Sequence, residues 1–154
     1  MKLEVGDKAP AFKVKDQNGE IVSNKDYAGK PYVIYFYPRA STPGCTTQSC
    51  NLRDAMSDLK SLDSAVIGVS ADSPEKQKKF DDKYNFGFTL LADEEREVIQ
   101  SYGVWDDKSL YGKVFKGIVR SAFVVDAKGK IAGAFYKISP KDTVPKTLEV
   151  LKNL

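Results

Sequence analysis

The sequence predicts an α/β fold. Apolar runs and helical patterns alternate along the chain, which is typical of this class. The length of 154 residues suits a single domain, taken here as residues 1–154. Hydrophobic residues make up 42% and charged residues 29%, so the composition is that of an ordinary globular protein with a real core.

The first half of the chain predicts a hairpin, a buried strand and a helix. Residues 14–22 form a β-hairpin pattern that turns at 17–19. Residues 32–37 are a continuous β-branched and aromatic run, which indicates a strand buried on both faces, and Pro38 ends it. One helical stripe follows at Leu52, Ala55, Met56, Leu59 and Leu62. Thr42 suits the N-cap of this helix, and Pro43 suits its first position.

The second half predicts further alternation of strands and helices. Residues 65–70 indicate a second buried strand, and Ser73 opens a helix. A short strand at 88–91 leads to Asp93, which suits the cap of a helix to about 102. We expect a long, mostly irregular connection over 104–119, with Trp105, Tyr111 and Phe115 as its packing residues. Strands at 121–126 and 130–136 precede a closing helix at 143–151.

Composition excludes several classes of function. The net charge of +3 is too small to indicate nucleic-acid binding. The longest apolar run falls far short of the roughly 20 residues of a membrane helix, and the first ten residues lack a targeting pattern. We therefore expect a cytoplasmic protein with neither nucleic-acid nor membrane partners. The absence of histidine excludes Ser-His-Asp and Cys-His catalysis and argues against the usual zinc sites.

Cys45 is the candidate nucleophile. With Thr42 as the cap, Cys45 is the third helical residue, where unpaired backbone N–H groups and the positive end of the helix dipole favour a thiolate. The thiolate is the reactive form of cysteine. This position creates reactivity without a histidine.

Cys50 lies five residues after Cys45 and about 140° around the helix, on its wetter side. An intact helix separates the two Cα atoms by ~8.7 Å, whereas a disulfide rarely tolerates more than ~7 Å. Either the two cysteines never pair, or they pair only after the helix start unwinds. The Cys-x-x-x-x-Cys spacing also differs from the Cys-x-x-Cys of thioredoxin-type oxidoreductases.

The segment 37–50 resembles the active-site segment of peroxiredoxins, and most closely that of the bacterioferritin comigratory protein (PrxQ) subfamily. Pro38, Thr42 and Cys45 match the family pattern Pro-x-x-x-Thr-x-x-Cys. The subfamily core Thr-Pro-Gly-Cys-Thr is intact at 42–46, with a second cysteine at Cys50. Similarity continues through 103–105 and 117–126, and so covers nearly the whole chain.

The resemblance implies a thioredoxin-like fold, with a central mixed sheet flanked by helices and an N-terminal β-hairpin. It implies that Cys45 attacks the peroxide and becomes a sulfenic acid, which Cys50 resolves as an intramolecular disulfide in the atypical 2-Cys manner. Thioredoxin or a similar thiol reductant would then recycle the enzyme. Thr42 would bond peroxide and thiolate, Arg120 would hold both, and Pro38 would shield the sulfur. No cofactor or metal is implied, and a monomer is favoured, with a dimer left open.

Simpler interpretations stand beside these roles. Cys45 and Cys50 could be inert thiols, Thr42 a plain cap and Pro38 a strand terminator. Arg39 and Arg53 are rival cations to Arg120. Two other functions fit a reactive cysteine pair: a thiol–disulfide oxidoreductase acting on proteins, and a non-enzymatic redox sensor or holdase. Neither consumes peroxide catalytically. The preferred hydroperoxide and the physiological reductant are not encoded visibly.

Overall fold

The computed structural model describes residues 2–154 and, at position 110, the backbone alone. Residue 1 of the predicted domain lies outside this range. The strands are β1 (Lys13–Lys15), β2 (Ile21–Ser23), β3 (Tyr32–Phe36), β4 (Ala65–Ser70), β5 (Thr89–Ala92), β6 (Trp105–Leu110), β7 (Lys113–Ile118), β8 (Ser121–Val125) and β9 (Ile131–Phe135). The helices are α1 (Pro43–Asp54), α2 (Met56–Ser61), α3 (Pro74–Tyr84), α4 (Glu97–Ser101) and α5 (Thr143–Lys152). Two short 3-10 helices cover Asn24–Tyr27 and Pro140–Asp142.

A five-stranded mixed sheet forms the centre, in the spatial order β5–β4–β3–β8–β9. Strands β3, β4 and β5 are parallel, whereas β8 and β9 add antiparallel pairings on the other side of β3. Strand β3 is therefore central, as its unbroken apolar run predicts, and all five of its residues are buried. The α/β prediction is confirmed, and so is the N-terminal hairpin, in which Val14 pairs with Val22.

Alternate side chains of β3 supply two separate cores. Ile34 and Phe36 belong to one, which α4 covers with Val98 and Ile99. Val33 and Tyr35 belong to the other, on the face covered by α1, α2, α3 and α5. The first turn of α1 thus lies at the carboxyl end of a rigid strand, which is the usual place for a site in an open α/β sheet.

Two predictions about the helices need correction. The stripe expected on one helix is divided between α1 and α2, because Ala55 has φ −92° and ψ 3° and leaves the helical conformation. Asp93 is not the residue at the start of α4, which follows Arg96 in a left-handed conformation. The Asp93 carboxylate still satisfies the helix start, since it accepts hydrogen bonds from the amides of Glu97 and Ile99. None of the helices in the described residues is long and apolar enough to cross a membrane.

The expectation of an irregular connection over 104–119 is wrong. These residues form the antiparallel hairpin β6–β7, with Trp105 opposite Ile118 and a turn at Tyr111 and Gly112. Trp105 does pack against the first core. Tyr111 and Phe115 do not act as packing residues, because their side chains are 96% and 47% exposed.

Candidate active site

Cys45 is buried at the start of α1. Thr42 occupies the N-cap position and Pro43 is the first helical residue, so Cys45 is the third. Its side chain is only 1% exposed and belongs to the core between the sheet and α1. The free N–H groups and dipole of the first helical turn act on this sulfur in a site from which bulk water is largely excluded.

Arg120 reaches Cys45 from the position just before β8, the strand that neighbours β3. Its Nη1 lies 3.5 Å from Cys45 Sγ. The contact follows from strand register: β8 pairs with β3 so that Ser121 lies opposite Phe36, and Arg120 comes directly before Ser121. The backbone carbonyl of Arg120 also accepts a hydrogen bond from the amide of Ile138, at 3.0 Å, which fixes this segment. The structure therefore brings together two site residues that are 75 positions apart in the sequence.

Gln48 holds the Arg120 guanidinium in place. Its Oε1 accepts a hydrogen bond from the same Nη1 at 2.9 Å, and its Nε2 donates to Thr143 Oγ1 at 3.0 Å. Thr143 in turn donates to the carbonyl of Ser139 at 3.0 Å. Gln48 and Thr143 are both fully buried. Sequence reasoning missed this relay, although a polar residue three positions after Cys45, on the same face of α1, was the available signal.

Gly44 gives the guanidinium room to approach α1. A Cβ atom at this position would lie 3.0 Å from Arg120 Nη2 and 3.7 Å from its Cζ. The first of these distances is shorter than ordinary van der Waals contact. Any side chain at position 44 would therefore push against Arg120, and the sequence analysis did not identify this requirement.

Thr42 lies at the N-cap, but its side chain does not cap the helix. The hydroxyl instead donates to the carbonyl of Arg39 at 2.8 Å. The plain-cap interpretation of this side chain is therefore wrong. The Thr42 hydroxyl has donated its only proton to this carbonyl, so its oxygen can act only as an acceptor toward a bound ligand.

Pro38 lines an open cavity that also reaches Arg120. The cavity has a volume of about 550 Å³, and the other residues around it are Asp107, Lys108, Ser109, Phe115, Val119, Lys137 and Ile138. Much of this wall comes from the β6–β7 hairpin. The segment 104–119 is therefore an ordered hairpin that forms one side of a cavity beside the cysteine site.

Cys50, Arg39 and Arg53 do not share the contact that Arg120 makes with Cys45. Cys50 is half-buried on α1 and packs against the second core, so it is less exposed than its helical position suggests. Both cysteines are free thiols in this structure. Arg53 donates to the carbonyl of Tyr84 and pairs with Asp54, and the Arg39 side chain is exposed. The contact to Cys45 comes from Arg120 alone among these three arginines.

Beneath α1, the Tyr35 hydroxyl lies 2.7 Å from Ser49 Oγ. Burial raises the pKa of Tyr35, so the phenol stays neutral and can hydrogen-bond. This bond links the middle of α1 to the central strand. It restrains the helix one turn after Cys45.

Comparisons with known proteins give the family. Residues 5–134 match the sequence model of the AhpC/TSA family. Peroxiredoxin Bcp of Bacillus subtilis is 43% identical over 154 residues, covering 100% of this chain and 98% of the relative. The chain is a peroxiredoxin of the AhpC/TSA family. Peroxiredoxin Bcp of Escherichia coli K12 is 48% identical over 133 residues, covering 86% of this peroxiredoxin and 85% of the relative.

Solved structures agree with this assignment. A structure of peroxiredoxin Q from Xanthomonas campestris superposes with a TM-score of 0.90 at 29% identity, covering 97% of both chains. A second Xanthomonas campestris structure, of the bacterioferritin comigratory protein, gives a TM-score of 0.90 at 28% identity over 97% and 98% of the two chains. The thioredoxin-like fold and the subfamily expected from the resemblance are therefore confirmed.

Proposed function

We propose that this peroxiredoxin reduces hydrogen peroxide and organic hydroperoxides to water and alcohols with Cys45 as the attacking thiolate. The observation that carries the proposal is the 3.5 Å contact between Arg120 Nη1 and the buried sulfur at a helix start. The similarity to the Xanthomonas campestris bacterioferritin comigratory protein, which has alkyl peroxide reduction activity, supports organic substrates.

The reaction begins when the Cys45 thiolate attacks one peroxide oxygen. The O–O bond breaks, the sulfur becomes a sulfenic acid and is oxidised by two electrons, and the other oxygen leaves with a negative charge. Arg120 holds thiolate and peroxide together, because its planar guanidinium can donate to sulfur and oxygen at once. A preorganised charged donor of this kind typically contributes ~3–4 kcal/mol to transition-state stabilisation.

Thr42 and Pro38 complete the peroxide site in this proposal. The Thr42 hydroxyl donates to the Arg39 carbonyl, so its free lone pairs can accept the O–H of a hydroperoxide. Pro38 lies half-buried at the cavity wall beside Arg120, where it shields the sulfur from solvent. Water exclusion strengthens the electrostatic effect of Arg120 on the developing charge.

Cys50 would resolve the sulfenic acid as an intramolecular disulfide with release of water. A bridge cannot span five residues of intact helix, so the first turns of α1 must unwind after oxidation. Thioredoxin or a similar dithiol would then reduce the disulfide. We also propose that the chain acts as one domain, as a monomer, in the cytoplasm, where the reducing environment sustains such a cycle.

Steady-state peroxide consumption with a thioredoxin system tests this function. Wild type should turn over hydrogen peroxide and several organic hydroperoxides, whereas Cys45→Ser should turn over none. Cys50→Ser is the matched control. Peroxide should oxidise Cys45 of this variant once at the wild-type rate, and turnover should then stop. Turnover by Cys45→Ser within about tenfold of wild type, equivalent to only ~1.4 kcal/mol of barrier, would exclude Cys45 as the attacking group.

A further inference from the structure

Lys108 is a basic residue that lines the cavity beside the cysteine site. It lies on β6, is half-buried, and shares the 550 Å³ cavity with Arg120 and Pro38. Its stem crosses Gly117 on β7, where a Cβ atom would come within 3.0 Å of Lys108 Cδ. Because Gly117 has no side chain, the Lys108 side chain can lie across β7 at this point.

The surroundings of Lys108 leave its charge without a carboxylate partner. None of the ion pairs in the described part of the chain includes Lys108, and the neighbouring Asp107 pairs with Lys116 at 3.8 Å. Besides Lys108 and Asp107, the charged residues around the cavity are Arg120 and the exposed Lys137. Burial first, and then the charge of Arg120, lower the pKa of Lys108, while Cys45 acts in the opposite direction.

In the proposed reaction the peroxide's own proton stays on the oxygen that bonds to sulfur, so the departing oxygen takes its proton from another group. Attack by Cys45 releases an oxygen anion, and alkoxide or hydroxide is too basic to leave readily without a proton. A guanidinium group does not act as an acid in proteins, and the chain contains no histidine. A lysine whose pKa is lowered is a stronger acid than an ordinary one. Lys108 is the titratable cation on this cavity wall with that property.

We propose that the Lys108 ammonium donates the proton taken up by the departing oxygen when Cys45 cleaves the peroxide. The thiolate forms an S–O bond and is oxidised, the O–O bond breaks, and the leaving oxygen takes one proton from Lys108. Alcohol or water departs, and the resulting amine regains a proton from solvent. The inference rests on the proposed attack by Cys45 and adds the acid of that step.

The leaving group provides the test. Stopped-flow rates of Cys45 oxidation are measured at neutral pH with tert-butyl hydroperoxide, whose alkoxide needs a proton, and with peracetic acid, whose acetate does not. Lys108→Gln should slow the alkyl hydroperoxide roughly a hundredfold and change the peracid rate little. Lys137→Gln, which removes an exposed ammonium from the same cavity wall, should leave both rates near wild type.

Two further measurements distinguish proton donation by Lys108 from an effect of its positive charge alone. Lys108→Arg keeps the charge but cannot release a proton, so it should remain slow with the alkyl hydroperoxide. In wild type, that rate should fall on the alkaline side as Lys108 deprotonates, below the ordinary lysine pKa of about 10.4, and Lys108→Gln should lose this fall. Equal slowing of both substrates in Lys108→Gln, or full rescue by arginine, overturns the proposal. If the proposed role of Cys45 were wrong, a different result would show it, since Cys45→Ser would then still consume peroxide.

Discussion

Replacing Gly44 with alanine should slow peroxide reduction without weakening the fold. The new Cβ would lie 3.0 Å from Arg120 Nη2, so the guanidinium must move by a few tenths of an ångström. That shift lengthens the 3.5 Å contact to Cys45 and strains the 2.9 Å bond to Gln48. Losing part of a charge-assisted hydrogen bond costs about 1–2 kcal/mol, which corresponds to a rate about 5–30-fold lower.

Helix propensity acts in the opposite direction on stability. Alanine is favoured over glycine inside a helix by about 0.5–1 kcal/mol, so the free energy of unfolding of Gly44→Ala should stay level or rise. Urea denaturation measures this quantity, and stopped-flow oxidation of Cys45 measures the rate. Thr47→Ala is the matched control, because residue 47 is exposed on the same helix and its hydroxyl donates to the carbonyl of Pro43. If Cys45 were oxidised at the same rate in Gly44→Ala as in Thr47→Ala, the claim that Arg120 needs the space left by Gly44 would be refuted.

Three other predictions concern the same site. Arg120→Lys should slow peroxide attack by roughly 10²-fold or more, but slow iodoacetamide alkylation much less, because alkylation involves no O–O cleavage; parallel losses would mean that Arg120 merely tunes the thiol. Gln48→Leu removes the acceptor that orients Arg120 and should lower the peroxide rate about tenfold, a loss that stopped-flow would detect and an unchanged rate would contradict. After oxidation, non-reducing mass spectrometry should find Cys45 joined to Cys50 in one chain, with hydrogen-exchange protection lost over 46–51; a bridge with undiminished protection would rule out helix unwinding.

Local patterns predicted the elements that bury apolar side chains. The run at 32–37 specified the central strand, and Thr42 with Pro43 marked the start of α1. The β6–β7 hairpin escaped prediction because Val114 and Phe115 face solvent, so no apolar alternation toward a core marks its strands. Its turn did carry a signal in Gly112, which adopts φ 76° after Tyr111 at φ 53°.

Only the part of the site that is formed by neighbouring residues could be predicted from the sequence. Cys45 and Thr42 lie within one helix start, whose geometry follows from adjacent residues. The bonds from Gln48 to Arg120 and Thr143 join parts of the chain 72 and 95 positions apart. No local pattern encodes such contacts, because they depend on the pairing of β3 with β8 and on the docking of α5.

The most direct test of Cys45 as the attacking group identifies the atom that receives the peroxide oxygen. The Cys50→Ser variant is treated with one equivalent of hydrogen peroxide, trapped with a sulfenic-acid reagent and mapped by mass spectrometry. We predict that the label lies on Cys45, with one label for each peroxide consumed. A label on another residue, or peroxide consumption that leaves Cys45 unmodified, would contradict it.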